Sequence, residues 1–225
     1  MTRLLVLTAV DFEAQTLARQ LGLAPASGST WPHFTGGSLE IVAVGVGASQ
    51  LDLRAKTLAT PTAVVSAGAC GGLAPELAVG ALVVPETVLG PGGRRWTTAS
   101  LGGPRRHGTL LTTDHVLEDA AAKSRCWLQT GALAVDMESA AILDWAAAHA
   151  LPGLVIRGVS DPAARGVPAD LARVVQDDGR VRPMRAVTAM LARPRALADA
   201  VALRAGTTAA LRTVAAALGT LAKTL

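Results

Sequence analysis

A chain of 225 residues, half of them hydrophobic and carrying a net charge of +4, is long enough to bury one sizeable core. Aromatics are only 3%, so Ala, Val and Leu must build that core. The basic residues are scattered arginines without long runs, no stretch of about 18 uncharged apolar residues occurs, and neither Cys70 nor Cys126 sits in a CxxC pair; nucleic-acid binding, a membrane span and a metal site are therefore not expected.

Residues 3–9 read as a short buried strand and 11–21 as a helix stopped by Gly22. Residues 31–35 and 39–45 read as strands around the turn Gly36-Gly37-Ser38, followed by a helix over 47–58 and a strand over 63–67. A tight glycine loop is expected at 68–72, then strands at 81–89 and 109–113. Between these strands, the Gly/Pro-rich stretch around Arg94-Arg95-Trp96 reads either as a long loop or hairpin near the site or as a solvated connector. Helix 118–130, strand 133–137, helix 139–150 and strand 154–160 complete the alternation. From about residue 169 the chain reads as helical, with a loop near 177–179.

Strands alternating with helices predict an α/β fold: a mixed, mostly parallel central sheet flanked by helices. One domain is expected over 1–225, with a helical extension over about 184–225. The start, Met1-Thr2-Arg3-Leu4, runs into a strand that soon reaches Asp11, so no signal peptide is expected; a cytoplasmic protein with reduced thiols is.

Two apolar runs end in carboxylates. Glu138 follows the strand at 133–137 and Asp161 follows the strand at 154–160. Acids at strand ends are how an α/β enzyme presents chemistry at the edge of its sheet. Each acid also has a structural reading: Asp161 as a helix N-cap, Glu138 as an N-terminal helix acid and Glu13 as a first-turn carboxylate favoured by the helix dipole. Met137 reads equally as a core side chain. The glycines of 68–72 would let backbone amides approach a ligand, with Gly71 among them.

The segments Val135-Asp136-Met137-Glu138-Ser139 and Arg157-Gly158-Val159-Ser160-Asp161-Pro162 resemble the purine nucleoside phosphorylase/nucleosidase superfamily, as does Ser66–Val88 around the glycines. The resemblance implies that Met137 and Glu138 grip a ribose and that Ser160 and Asp161 protonate a leaving purine. Similarity to the methylthioadenosine/S-adenosylhomocysteine nucleosidases implies that Glu13 activates water. Four features depart from those nucleosidases: Ala69 for a loop serine, Val116 for a base-stacking aromatic, the Arg94-Arg95-Trp96 segment and the Arg-rich C-terminal extension. Asp114 still matches an acid.

These departures resemble hopanoid-associated phosphorylase-like proteins, a resemblance that implies release of adenine from the lipid nucleoside adenosylhopane. No cofactor is implied. The strand before the glycines, Val65-Ser66-Ala67-Gly68, carries no arginine to clamp phosphate, so water is the expected nucleophile. The alternatives are a phosphate-dependent phosphorylase of the same fold, a methylthioadenosine/S-adenosylhomocysteine nucleosidase, and a nucleoside-binding protein of a lipid pathway without catalysis. A homo-oligomer is expected. The stripe Leu211, Val214, Leu218, Leu221, Leu225 predicts a C-terminal helix packed on the sheet or a partner, or else one lying on the membrane that holds a lipid-linked substrate.

Overall fold

Leu4–Thr8 is buried throughout, because helices cover both faces of the strand it forms. The computed structural model describes residues 3–56, 58, 60–166 and 196–224. Its elements run β1 (Leu4–Thr8), α1 (Asp11–Leu21), β2 (Ala24–Pro25), β3 (His33–Gly36), β4 (Leu39–Ala43), α2 (Leu51–Ala55), β5 (Ala63–Gly72), β6 (Leu82–Val83), β7 (Thr87–Leu89), β8 (Arg95–Thr97), β9 (Thr109–Thr112), α3 (Ala120–Thr130), β10 (Ala134–Asp136), α4 (Ser139–Ala148), β11 (Gly153–Asp161) and α5 (Ala196–Thr224).

The sheet is mixed, as expected. Its order is β2-β3-β4-β1-β5-β10-β9-β7-β8, with β11 pairing β5 and β6. The central pairs β1–β4, β1–β5 and β5–β11 are parallel, as are β9–β10 and β7–β9. Antiparallel pairs lie mainly at the margins. Along β1 the side chains alternate: Leu4 and Val6 face α1 and α5, while Leu5 and Leu7 face α2 and α4. Gly22 ends α1 in the left-handed conformation at φ 68°, its N–H returning to the last carbonyls.

Three expectations need correction. The glycines at 68–72 are not a tight loop but the second half of the ten-residue strand β5, which pairs β11 along its length and β10 at Gly71 and Gly72. Small residues suit this strand because ionisable side chains fill the space that Cβ atoms would need: a Cβ on Gly68 would lie 2.6 Å from Glu13 and 2.8 Å from Arg157. The helix expected at 47–58 is a 3₁₀ turn at Val46–Ala48 followed by the short α2; Gly45 and Gly47 at φ 83° and 61° break it. The strand expected at 81–89 is interrupted between Val83 and Thr87, where Pro85 cannot donate to a ladder.

The stretch around 94–96 leads into β8, which forms a hairpin with β7. Arg94 and the Trp96 indole both donate to Asp144 on α4. The expected loop near 177–179 and the helical start near 169 lie outside the described residues.

The C-terminal helix packs on the sheet. Leu211, Val214, Leu218 and Leu221 are buried in one cluster with Leu4, Val6, Leu154 and Ile156. The contact is close enough that a Cβ on Gly158 would collide with the Ala210 backbone, and one on Gly206 with the Ser160 carbonyl. No helix among the described residues is long and apolar enough to cross a membrane.

Candidate active site

Five elements deliver ionisable side chains to the second half of β5. Glu13 lies in the first turn of α1, directly after β1, and is buried. One of its oxygens accepts from Ala9 N at 3.0 Å and Val10 N at 3.3 Å, the other from Ala69 N at 2.8 Å. Burial pushes its carboxyl above the ordinary range, against the pull of Arg157 and those three N–H groups.

Arg157, on β11, is fully buried across Gly68 from Glu13. Its Nη2 lies 2.7 Å from Asp136 Oδ2 and 3.6 Å from Glu138 Oε2, and donates to Ser66 Oγ at 2.8 Å and Ser139 Oγ at 3.2 Å. Burial opposes the guanidinium charge, but Asp136, Glu138 and Glu13 outweigh it and raise its pKa. Asp136 ends β10 and is spent on support, accepting from Thr112 Oγ1 at 2.7 Å and Ser139 N at 3.2 Å.

Glu138 caps the start of α4, and its Oε1 accepts from Gly47 N at 3.2 Å. Its carboxyl is pushed up to about 7 by burial, with Asp136 and Glu13 adding to the rise and Arg157 opposing it. Met137, beside it, is half-buried.

A second cluster lies three residues further along β5, roughly 10 Å at strand spacing. Asp161, at the end of β11, is 4% exposed. Its Oδ1 accepts from Ser160 Oγ at 2.6 Å and its Oδ2 forms an ion pair with Lys123. Burial raises its carboxyl, against Lys123, the Ser160 hydroxyl and Arg165. A Cβ on Gly71 would sit 3.2 Å from Asp161 Oδ2 and 3.4 Å from Lys123 Nζ, so a side chain there would crowd the pair. Cys70 lies between the clusters, and burial pushes its thiol far up, which keeps it an inert neutral group.

The expected acids thus follow the ends of their own strands beside the second half of β5, with β10 arriving antiparallel, and fall in two groups: Glu13 and Glu138 around Gly68, and Asp161 with Ser160 around Gly71. Three participants were missed. Arg157 stands in the motif at 157–162, but its sequence position alone gives it no role. Gly47 was read as helical, although the pair Gly45 and Gly47 marks a turn. Lys123 carries no signal in the sequence beyond its place in the helix expected over 118–130. Asp114 stands exposed, 2.6 Å from His115 Nδ1, and Val116 is half-buried.

A sequence profile of the Phosphorylase superfamily matches residues 3–106 and 95–193. The chain belongs to the Phosphorylase superfamily. Within it, the chain is 33% identical to a futalosine hydrolase of Streptomyces coelicolor over 230 residues, which covers 80% of this chain and 95% of that one. It is 36% identical to a 5′-methylthioadenosine/S-adenosylhomocysteine nucleosidase of Mycobacterium tuberculosis over 83 residues, 35% of this chain and 32% of that one. Among solved structures, the nucleosidase of Neisseria meningitidis in complex with methylthio-immucillin-A shares the fold at a TM-score of 0.72, with 16% identity and full coverage of both chains. Futalosine hydrolase of Helicobacter pylori does so at 0.69, with 16% identity, covering 100% of this chain and 98% of that one. With such relatives the chain is a nucleosidase-type member of the superfamily, an N-glycosyl hydrolase.

Proposed function

We propose that the chain hydrolyses the N-glycosidic bond of a 5′-substituted adenosine, releasing adenine, with lipid-linked adenosylhopane as the substrate its sequence resemblances favour. The observation that carries the reading is the division of the site. A cluster of three carboxyls around one guanidinium, Glu13, Asp136 and Glu138 with Arg157, lies on one side, and an acid with a raised pKa, Asp161, lies on the other.

Cleavage proceeds through a ribosyl cation-like transition state. Three acids against one base leave the first cluster with excess negative charge, which a positive sugar offsets in a buried site. Glu138 receives the ribose hydroxyls, with Met137 packing beside the sugar. Glu13, oriented by three backbone amides and raised by burial, takes the proton of the attacking water. Asp161, braced by Ser160, delivers the proton that lets the purine leave as a neutral base, and Gly71 keeps a side chain from crowding it. No residue role requires a cofactor.

Phosphate is disfavoured as nucleophile. The guanidinium nearest Glu13 is committed to Asp136 and Glu138, and Glu13 itself would repel an anion. A second reading, a futalosine-type substrate, is favoured by the 33% identity over 95% of the Streptomyces coelicolor hydrolase. Self-association belongs to the proposal, and exposed Leu53 on α2 and Leu128 on α3 offer apolar surface for it. Because Leu211, Val214, Leu218 and Leu221 are buried, any membrane contact must use another surface.

The test is incubation with adenosine, methylthioadenosine, S-adenosylhomocysteine, futalosine and adenosylhopane, with and without phosphate, following free base and sugar. Adenine and free sugar from adenosylhopane in phosphate-free buffer are expected. Exclusive cleavage of futalosine selects the second reading, and formation of a sugar 1-phosphate overturns the water mechanism.

A further inference from the structure

Lys123 is the only buried residue of α3. At 1% exposure it is among the largest side chains the fold encloses completely. Taking an ammonium out of water costs several kcal/mol, and a position that served packing alone would be filled more cheaply by an apolar residue. The three N–H groups of Lys123 meet three oxygens: Asp161 Oδ2, the Asp161 carbonyl at 3.2 Å and the Pro162 carbonyl at 3.1 Å. The segment after β11 folds back onto the start of α3, where a Cβ on Gly166 would collide with the Glu118 carbonyl. Lys123 is therefore sealed beneath the residues that follow Asp161.

This arrangement leaves Asp161 short of a proton. Both its oxygens already receive donors, Ser160 Oγ on one and the ammonium on the other. The Ser160 hydroxyl has one proton, shared between Asp161 and the Cys70 carbonyl at 3.1 Å. In the ion-paired state the carboxylate carries nothing to give a purine, and among the described residues the ammonium in contact with it that has a proton to spare is Lys123. The other cation facing Asp161, Arg165, belongs to a residue type that does not deprotonate in proteins. The Cys70 thiol faces the pair from β5, while Glu13, Asp136, Glu138 and Arg157 form the separate cluster around Gly68.

We propose that Lys123 is the proton reserve of Asp161, a positioning residue that aims the carboxyl and recharges it during purine departure. This rests on the nucleosidase reading. As the bond from C1′ to the glycosidic nitrogen breaks, its electron pair moves into the purine and a proton passes from the Lys123 ammonium through the Asp161 carboxylate to N7. Asp161 is left ionised and Lys123 a neutral amine. The water oxygen bonds to C1′ and its proton goes to Glu13. After the products leave, Glu13 releases its proton to solvent and the lysine amine takes one up, so no net proton is gained or lost.

The test compares Lys123→Met and Lys123→Arg with the parent on two substrates: the purine nucleoside it cleaves best and 4-nitrophenyl riboside, whose leaving group departs without a proton. Both variants should lose at least about a hundredfold in kcat on the purine nucleoside, the usual scale for general acid catalysis, and stay within severalfold of the parent on the nitrophenyl riboside. In Lys123→Met the alkaline limb of kcat should move to lower pH. Asp161 alone must then hold the proton, and a carboxyl releases it at lower pH than an ammonium does.

Restoration of purine turnover by Lys123→Arg overturns the proposal, since a fixed positive charge would then suffice. So does an equal loss on both substrates, which marks a structural lysine, or an alkaline limb that stays put or rises. If the parent frees no base from any purine nucleoside, the nucleosidase reading fails first and takes this inference with it.

Discussion

The Arg157 guanidinium and the Asp136 carboxylate meet at 2.7 Å with both side chains about 1% exposed, and this pair joins β11 to β10 beneath the site. Breaking a buried pair leaves an uncompensated charge, at a cost of about 3–5 kcal/mol. Asp136→Ala should destabilise the fold by that amount in urea denaturation. It should also remove the brace on Ser139 and the opening turn of α4. A loss below about 1 kcal/mol would show that the pair is not the strut described.

Glu138 supplies the pH dependence. Its carboxyl titrates near about 7, and only the ionised form can accept from two ribose hydroxyls. Nucleoside binding and kcat/KM should therefore rise as pH increases through about 7, and Glu138→Gln should abolish this acid limb. Stability has the opposite sign. The folded-state pKa lies above the ordinary value of 4.5, so the contribution of the protonated form is full below about 4.5 and is lost as pH rises to about 7. A pH series of thermal melts on the ligand-free parent and Glu138→Gln should diverge over that window. Superimposable pH profiles would remove Glu138 from the ribose role.

Glu13 and Gly68 should share a phenotype. Glu13→Gln removes the base and should lower kcat by about 10²–10⁴ while leaving nucleoside affinity within severalfold. Gly68→Ala reaches the same end by a different route. Its Cβ would press on Glu13 Oε1 and Arg157 Nη1, and its φ of 154° strains an L side chain. Gly68→Ala should thus lose turnover without disturbing the Asp161–Lys123 pair beside Gly71. Full activity in Gly68→Ala would mean that Glu13 need not sit where the structure holds it.

Asp161→Asn keeps the size of the side chain and one acceptor oxygen but cannot protonate a purine. It should bind nucleoside normally and lose at least about a hundredfold in kcat on purine substrates. Hydrolysis of 4-nitrophenyl riboside should survive. Near-normal purine turnover in this variant would dismiss Asp161 as the acid.

What could be read from the chain follows from how local each signal is. The acids Glu13, Glu138 and Asp161 were legible because each terminates or follows an apolar run, and strand ends meet at one edge of an α/β sheet. The glycines at 68–72 misled because a glycine run ordinarily marks a turn. Here they continue a strand, and Glu13, Arg157, Asp161 and Lys123, which occupy the Cβ space, come from three other elements. Lys123 was illegible for the same reason: its burial depends on Asp161, 38 residues away, and on the segment that folds over it. Arg157 was visible as a charge in a strand, but its partners Asp136 and Ser66 arrive from other strands and Glu138 and Ser139 from the start of α4.

The C-terminal helix provides the last prediction. Leu218 is fully buried between the sheet and α1, in the cluster that includes Leu17, Ile41 and Leu154. Leu218→Ala removes methyl groups from a packed core and should cost about 2–5 kcal/mol by urea denaturation. The folded fraction should keep its kcat/KM on a soluble nucleoside, because Leu218 belongs to the apolar cluster with Leu17, Ile41 and Leu154. Binding to anionic vesicles at low salt should be equal for the parent and Leu218→Ala, since the stripe is committed to the core. A stable Leu218→Ala protein with weakened vesicle binding would reverse this assignment and return the stripe to the membrane.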